Sequence, residues 1–327
     1  VNERRRLVAL VLILLAIAGP VSANASTFRV YLLGTGGPEL TPERSGAATL
    51  IEVGGQLLLF DAGRGVVQRL YQARINPKRV TRIFLTHLHS DHIDGLPELW
   101  MTPWFLLGRS LPLDLHGPEG TRALVVGMRA MYAHDVASRA NAFNPASALD
   151  IRVTETRGGV VQNEAGVRVT AIPVDHADGN PAFAYRIDHE GRSILLSGDT
   201  TYDPRLVAAA RGVDLIVHNV VAFSPRLSAL PEMQGVLAKL TTPEQAARVF
   251  VEARPRLAIF SHIVKKELPG RAGDRLILNR TRKAGYSGPL AMGRDGMTID
   301  IGDRIRIMPP RHGRLPDLDG KAADFVP

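Results

Sequence analysis

Apolar residues in this chain fall mostly in short runs closed by Gly, Pro, Asn or Asp, the pattern of strands buried on both faces. FRVYLLG (28–34), AATLIEV (47–53) and QLLLFDAG (56–63) come first. A helical stretch, RGVVQRLYQA (64–73), leads to the strand RIFLT (82–86). Residues 94–140 read mainly as helix, interrupted by a strand at LPLDLHG (111–117). From residue 151 strands resume with IRVTE, VRVTAIPV, AFAYRI and RSILLSGD, and later come VDLIVHN (213–219) and RLAIFSH (256–262). Asp203-Pro204 supplies an N-cap and a proline at the first helical position, opening DPRLVAAAR. Thr242-Pro243-Glu244-Gln245 is a capping box for a helix to about Ala253, and MTIDI/DRIRI (297–307) is a hairpin pair. No repeat recurs at a solenoid period. The pattern predicts an α/β chain with two mixed β-sheets and helices outside them.

The first 25 residues follow a different logic. Arg4, Arg5 and Arg6 precede an apolar run from Leu7 to Ala18, Gly19-Pro20 breaks it, and Ala23-Asn24-Ala25 ends it with small residues. That order predicts a secretory signal peptide over residues 1–25, with the main folded domain at 26–310 and a loose polar tail at 311–327. The apolar run falls short of the roughly 20 residues that cross a bilayer. The expected location is therefore periplasmic or secreted, with no stable membrane span after cleavage. An exported chain could form disulfides, but this one has no cysteine, so its core holds the fold unaided and no thiolate can bind a metal. The formal charge is +8, concentrated around residues 248–283. Such a face suits anionic substrates or simply the solvated side of a helix.

Chemistry concentrates in FLTHLHSDHIDGLPELW (84–100), which puts His87, His89, Asp91 and His92 at the end of a strand. Alternation lets His87 and His89 point one way while Asp91 and His92 reach a neighbouring point, so one loop could serve two ions. Polar residues also close other apolar strands: His176 in AIPVDHADG, Asp199 in ILLSGDT and His262 in LAIFSHI. Imidazole and carboxylate suit Zn²⁺, and one carboxylate can bridge two ions.

These residues, with LLGTGGP, LLFDAG, LSGDT and TTPEQAARV…RLAIFSH, resemble the metallo-β-lactamase fold superfamily over residues 28–307. Among its branches the chain is most similar to ribonuclease Z-type hydrolases and their exported relatives. The resemblance implies the αββα sandwich of that fold and two Zn²⁺ per chain. His87, His89 and His176 would hold one ion, Asp91, His92 and His262 the other, and Asp199 would bridge them. It gives Asp91 a catalytic role in orienting water and moving its proton, and Asp61 that of bracing the metal loop. The chain departs from ribonuclease Z at His218-Asn219, where that family has His-Glu, and lacks the long Gly/Pro-rich insert that grips tRNA.

The expected function is thus a dizinc hydrolase of phosphodiesters or related esters, with a small anionic ester as substrate and nucleic acid second to it. Opening of a cyclic amide or ester, including a β-lactam, is the alternative reaction, and a non-catalytic zinc-binding protein the alternative class. A homodimer is compatible with this reading. His218 is a candidate donor to the substrate anion or leaving group. Trp100, Trp104 and Phe105 read as core before they read as a pocket wall, Arg44 as a surface arginine before an anion binder, and GTGGP (34–38) as a turn.

Overall fold

The computed structural model describes residues 27–310; the expected signal peptide and the tail from 311 lie outside the described residues. One sheet is eight-stranded. It contains β1 (Phe28–Gly34), β2 (Ala48–Val53), β3 (Gln56–Phe60), β4 (Arg82–Phe84), β5 (Leu113–Gly117) and β6 (Ile151–Glu155), and closes with β14 (Met297–Asp300) and β15 (Arg306–Met308). Its spatial order is β15-β14-β1-β2-β3-β4-β5-β6. The other is seven-stranded, in the order β13-β12-β11-β10-β9-β8-β7. Its members are β7 (Gly159–Glu164), β8 (Val167–Val174), β9 (Ala182–His189), β10 (Arg192–Leu196), β11 (Leu215–Phe223), β12 (Leu257–Lys266) and β13 (Leu290–Met292). Both are mixed: β3 through β6 and β10 through β13 pair in parallel, the rest antiparallel.

Alternation along the strands builds three apolar layers. Val30, Leu32, Ile51, Leu58, Phe60 and Phe84 meet Val169, Tyr185, Ile187, Ile194, Leu215 and Ile259 between the sheets. The alternate residues Leu50, Leu59 and Ile83 face α1 (Val66–Gln72), α3 (Leu96–Phe105) and α4 (Thr121–Met131). On the other side Leu195, Ile216 and Ala258 face α6 (Pro204–Ala210), α9 (Pro243–Ala253) and α10 (Gly270–Lys283). The short helices α2 (Ser90–Ile93), α5 (Ala133–Arg139), α7 (Pro225–Ser228) and α8 (Pro231–Leu237) complete the set. The arrangement is the expected αββα sandwich. No helix among the described residues is long and apolar enough to cross a membrane.

Two strands run further than their sequence suggests. β11 continues past His218-Asn219 to Phe223, so His218 sits inside a strand and not at its end. β12 continues past His262 to Lys266, and its pairing with β11 slips there, with His218 opposite Phe260 and Val220 opposite Ile263. The extra residue is a β-bulge, a device that re-aims a side chain beside a functional site. It leaves His262 at φ +42.

Candidate metal centre

The loop after β4 and the loops after β8 and β10 meet the bulge of β12 at one edge of the sandwich. His87 Nε2 lies 3.1 Å from His89 Nδ1, and His176 Nε2 lies 3.2 Å from the same atom. Around a tetrahedral ion bound at about 2.0–2.1 Å, ligand atoms stand roughly 3.3–3.4 Å apart. Three imidazoles at this separation already outline a metal's face. A second cluster joins Asp91, His92 and His262, with His262 Nε2 3.1 Å from Asp91 Oδ2 and His92 Nε2 3.7 Å from it.

Asp199 connects the clusters through one atom. Its Oδ2 lies 3.6 Å from His92 Nε2, 3.2 Å from His262 Nε2 and 3.7 Å from His176 Nε2. All seven residues expected from the sequence therefore converge. The donor set fits a metal on a further ground: His92 Nε2 and Asp199 Oδ1 are buried and make no hydrogen bond within the protein. Buried polar atoms rarely stay unpaired, and ions are among the partners that satisfy them.

The surrounding groups fix which nitrogen three of the rings present. Asp61, itself in the left-handed region at φ +58, accepts from the Thr86 amide at 2.8 Å and from the Thr86 hydroxyl at 2.9 Å. His92 Nδ1 donates to Asp61 Oδ2 at 2.7 Å, and His87 Nδ1 donates to the Thr86 hydroxyl at 3.0 Å. His176 Nδ1 donates to the Lys239 carbonyl at 2.9 Å. Each bond leaves Nε2 free for an ion, the usual outer-shell arrangement of metal-binding histidines. Asp61 thus braces the loop as the sequence suggests. Thr86 stands inside the quoted motif and was legible there, whereas a carbonyl such as that of Lys239 leaves no signature in a sequence.

The turn carrying Asp199 is pinned too. Asn219 Nδ2 donates to the Thr200 carbonyl at 3.0 Å, and the Thr241 hydroxyl donates to the same oxygen at 2.6 Å. The GTGGP turn is more than a turn: Ile263 N–H donates to Thr35 O at 2.9 Å, and a Cβ on Gly37 would come 3.1 Å from His262 Cε1 and 2.7 Å from Val264 Cγ2. Glycine there lets the backbone wall the ring of His262.

Charge is distributed to hold protons unevenly before an ion binds. Burial, with help from His92, keeps His87 well below the ordinary histidine pKa. Burial also opposes charge on His92, but Asp61 and Asp199 outweigh it and raise the pKa well above 6.5. Against burial, His262 and His92 hold the carboxyls of Asp199 and Asp91 below the usual carboxylate range.

Other candidates resolve differently. His218 is fully buried; its Nδ1 meets the Asn219 carbonyl at 2.9 Å and its ring stands edge-on to Phe250 of α9 at 5.7 Å. Burial pushes its pKa down to about 4. Its ring lines a narrow internal cavity together with His92, Asp199 and His262, and its Nε2 makes no hydrogen bond within the protein. Arg44 is no surface arginine, since it is largely buried and bonds Thr35 Oγ1, the Gly293 carbonyl at 2.8 Å and Asp274 at 3.6 Å. Trp100 and Trp104 are core, with indole N–H groups on the carbonyls of Leu149 and Pro145.

Comparison with known proteins agrees with this geometry. A family model described as a beta-lactamase superfamily domain matches residues 57–263. The chain is 34% identical over 258 residues to ribonuclease Z of Mycolicibacterium gilvum, covering 77% of this chain and 90% of that one. In fold it is similar to the metallo-beta-lactamase fold protein YhfI from Bacillus subtilis, with a TM-score of 0.65 at 15% identity over 84% of this chain and 100% of that one. It is likewise similar to the short form of human tRNase Z, with a TM-score of 0.63 at 22% identity over 84% and 99%. With its sandwich, its converging His/Asp clusters and these relatives, the chain belongs to the β-lactamase superfamily and is a metal-binding hydrolase.

Proposed function

We propose that the protein is a dizinc phosphodiesterase. The observation that carries this is the reach of Asp199 Oδ2 to His92, His262 and His176, at 3.2–3.7 Å, which makes one carboxylate common to two three-ligand clusters. Zinc, when bound, supplies Lewis-acid activation of water and of the substrate's oxygen. The chain supplies the rest. His87, His89 and His176 would hold one ion, and Asp91, His92 and His262 the other, while Asp61 and Thr86 hold the loop rigid. Asp91, kept ionised at neutral pH, would orient the attacking water through its carboxylate, take the proton released and pass it to the leaving oxygen.

The sequence alone ranks a small anionic ester before nucleic acid. The relatives named ribonuclease Z support the opposite order, and we place an RNA or other nucleic-acid phosphodiester first. Export remains part of this proposal. A periplasmic product beginning at Ser26 is its expected sign, and a membrane-bound product retaining Arg4–Arg6 would refute it. For the chemistry, the test is purified protein carrying close to two zinc equivalents and turning over bis-p-nitrophenyl phosphate faster than a chromogenic β-lactam. A protein with one zinc, unaffected by Asp199→Ala, would refute the dinuclear centre. A lactam kcat/KM above that of every phosphodiester would refute the substrate class.

A further inference from the structure

Lys239 meets the centre twice, once through its backbone and once through its charge. Its carbonyl accepts from His176 Nδ1 at 2.9 Å, and its ammonium donates to Asp178 Oδ2 at 2.5 Å. Asp178 belongs to the turn Ala177–Gly179, which lies directly on the ligand rings. A Cβ on Gly179 would stand 2.0 Å from His176 Cδ2 and 2.9 Å from His89 Cε1. The ammonium is therefore held at the rim of the cluster formed by His87, His89 and His176.

The backbone under Lys239 is buried in a packed turn while its side chain reaches solvent. Thr241 ties the following turn to Thr200 and to the amide of Val221, at 2.6 and 2.9 Å. Leu227, Met233, Val236 and Leu237 of the preceding helices pack on Phe223, Leu240 and Val264. The Lys239 and Asp178 side chains, by contrast, are 33% and 63% exposed. An ion pair so exposed adds little stability and opens readily.

Two other cations are more fully engaged. Arg44 is taken up by Thr35, Gly293 and Asp274, and Arg205 binds Asp203 through two nitrogens. Among the described lysines and arginines, Lys239 alone hydrogen-bonds a candidate ligand, through its carbonyl, which anchors the root of its side chain beside His176.

We propose that Lys239 binds the substrate's anion: on substrate entry its ammonium leaves Asp178 and takes a non-bridging phosphoryl oxygen, with Asp178 holding it in place between turnovers. A flexible four-carbon stem bearing a compact charge suits such an exchange better than a planar guanidinium would. This inference rests on the phosphodiesterase reading of the same centre, and the experiment separates the two. Inorganic phosphate is titrated into zinc-loaded protein by calorimetry, alongside kinetics with bis-p-nitrophenyl phosphate. Lys239→Met should weaken phosphate binding about tenfold, the scale of one charge-assisted hydrogen bond at a wet site. It should raise KM by more than it lowers kcat, with zinc content unchanged, and Lys239→Arg should restore most of the loss. Asp178→Asn should shift both quantities the other way, because it weakens the ammonium's resting partner. A pair that merely secured the loop would move both variants in the same direction and release zinc. That pattern, or unaltered phosphate binding in Lys239→Met, overturns the proposal. Absence of phosphodiester turnover in the wild type would instead overturn the functional reading, while the phosphate titration still decides whether Lys239 binds an anion.

Discussion

Asp61 holds the left-handed backbone at φ +58 and places both carboxylate oxygens on the metal loop, one on the Thr86 amide and one on His92 Nδ1. Asn in its place keeps the shape but turns one acceptor into a donor, which opposes the His92 tautomer that leaves Nε2 free. Asp61→Asn is expected to lower metal affinity about 10–100-fold, the usual cost of losing an outer-shell partner, as read by competition with a chromogenic chelator. Unaltered affinity would show that Asp61 does not set the tautomer. Asp91→Asn has a different signature. Removing its proton-accepting oxygen should lower kcat on the order of 10²–10⁴, and more for alkyl than for nitrophenyl phosphodiesters, whose leaving groups need less help. Equal losses on both would remove Asp91 from proton transfer. The ligand residues were legible in the sequence because four of them share one short loop and the others close apolar runs. The position of His218 was less legible: VDLIVHN looks like a strand ending in a polar pair, but the next residues, Val220 to Phe223, carry β11 onward.

Helix α9 shows how far a local signal can be trusted. The Thr242 hydroxyl accepts from the Gln245 amide at 3.3 Å and the Gln245 side chain accepts from the Thr242 amide at 2.9 Å, the reciprocal bonds of the capping box expected there. The face behind that cap, including Ala246, Val249 and Phe250, is buried against β11 and β12. Thr242→Ala should cost about 1 kcal/mol of stability, visible as a lower urea midpoint with an unchanged slope. A loss well under half of that would mean that packing alone holds the helix start. Elements that escaped the sequence lack such marks. β7 is largely exposed and ends in the polar residues Gln162, Asn163 and Glu164, β13 is only three residues long, and α7 and α8 are too short to show a helical period.

At the scale of the whole molecule, protons and metal compete for the same histidines. Burial opposes charge on His92 and His262, yet Asp61 and Asp199 raise the first well above 6.5, and Asp199 and Asp91 raise the second. A raised folded pKa stabilises the metal-free protein fully below the unfolded value and is lost as pH climbs through the folded one. Asp199 and Asp91 act the other way: depressed in the fold, they stabilise above the usual carboxylate pKa and lose this on acidification. Zinc must displace the imidazolium protons, so it binds better as pH rises. The gap in Tm between zinc-loaded and chelated protein should therefore widen from about pH 6 to pH 8.5, as followed by thermal denaturation with and without chelator. A constant or narrowing gap would contradict the protonation described. The two-sheet plan was legible because buried strands on both faces read as continuous apolar runs; the bulge in β12 was not, since pairing register depends on a partner strand distant in sequence.

That bulge and its neighbours divide the ligands between the two halves of the sandwich. His87, His89, Asp91 and His92 follow β4 in one sheet, while His176, Asp199 and His262 belong to the other. Ions bound there would stitch the sheets together along their rim, adding to the backbone bonds from Ile263 to Thr35 and from Phe183 to Thr86. Their effect on lifetime should then exceed their effect on local shape. Stripping the metal should speed cleavage by a non-specific protease by opening the seam between sheets, with first cuts in the loops that carry the ligands and helices such as α9 surviving longest.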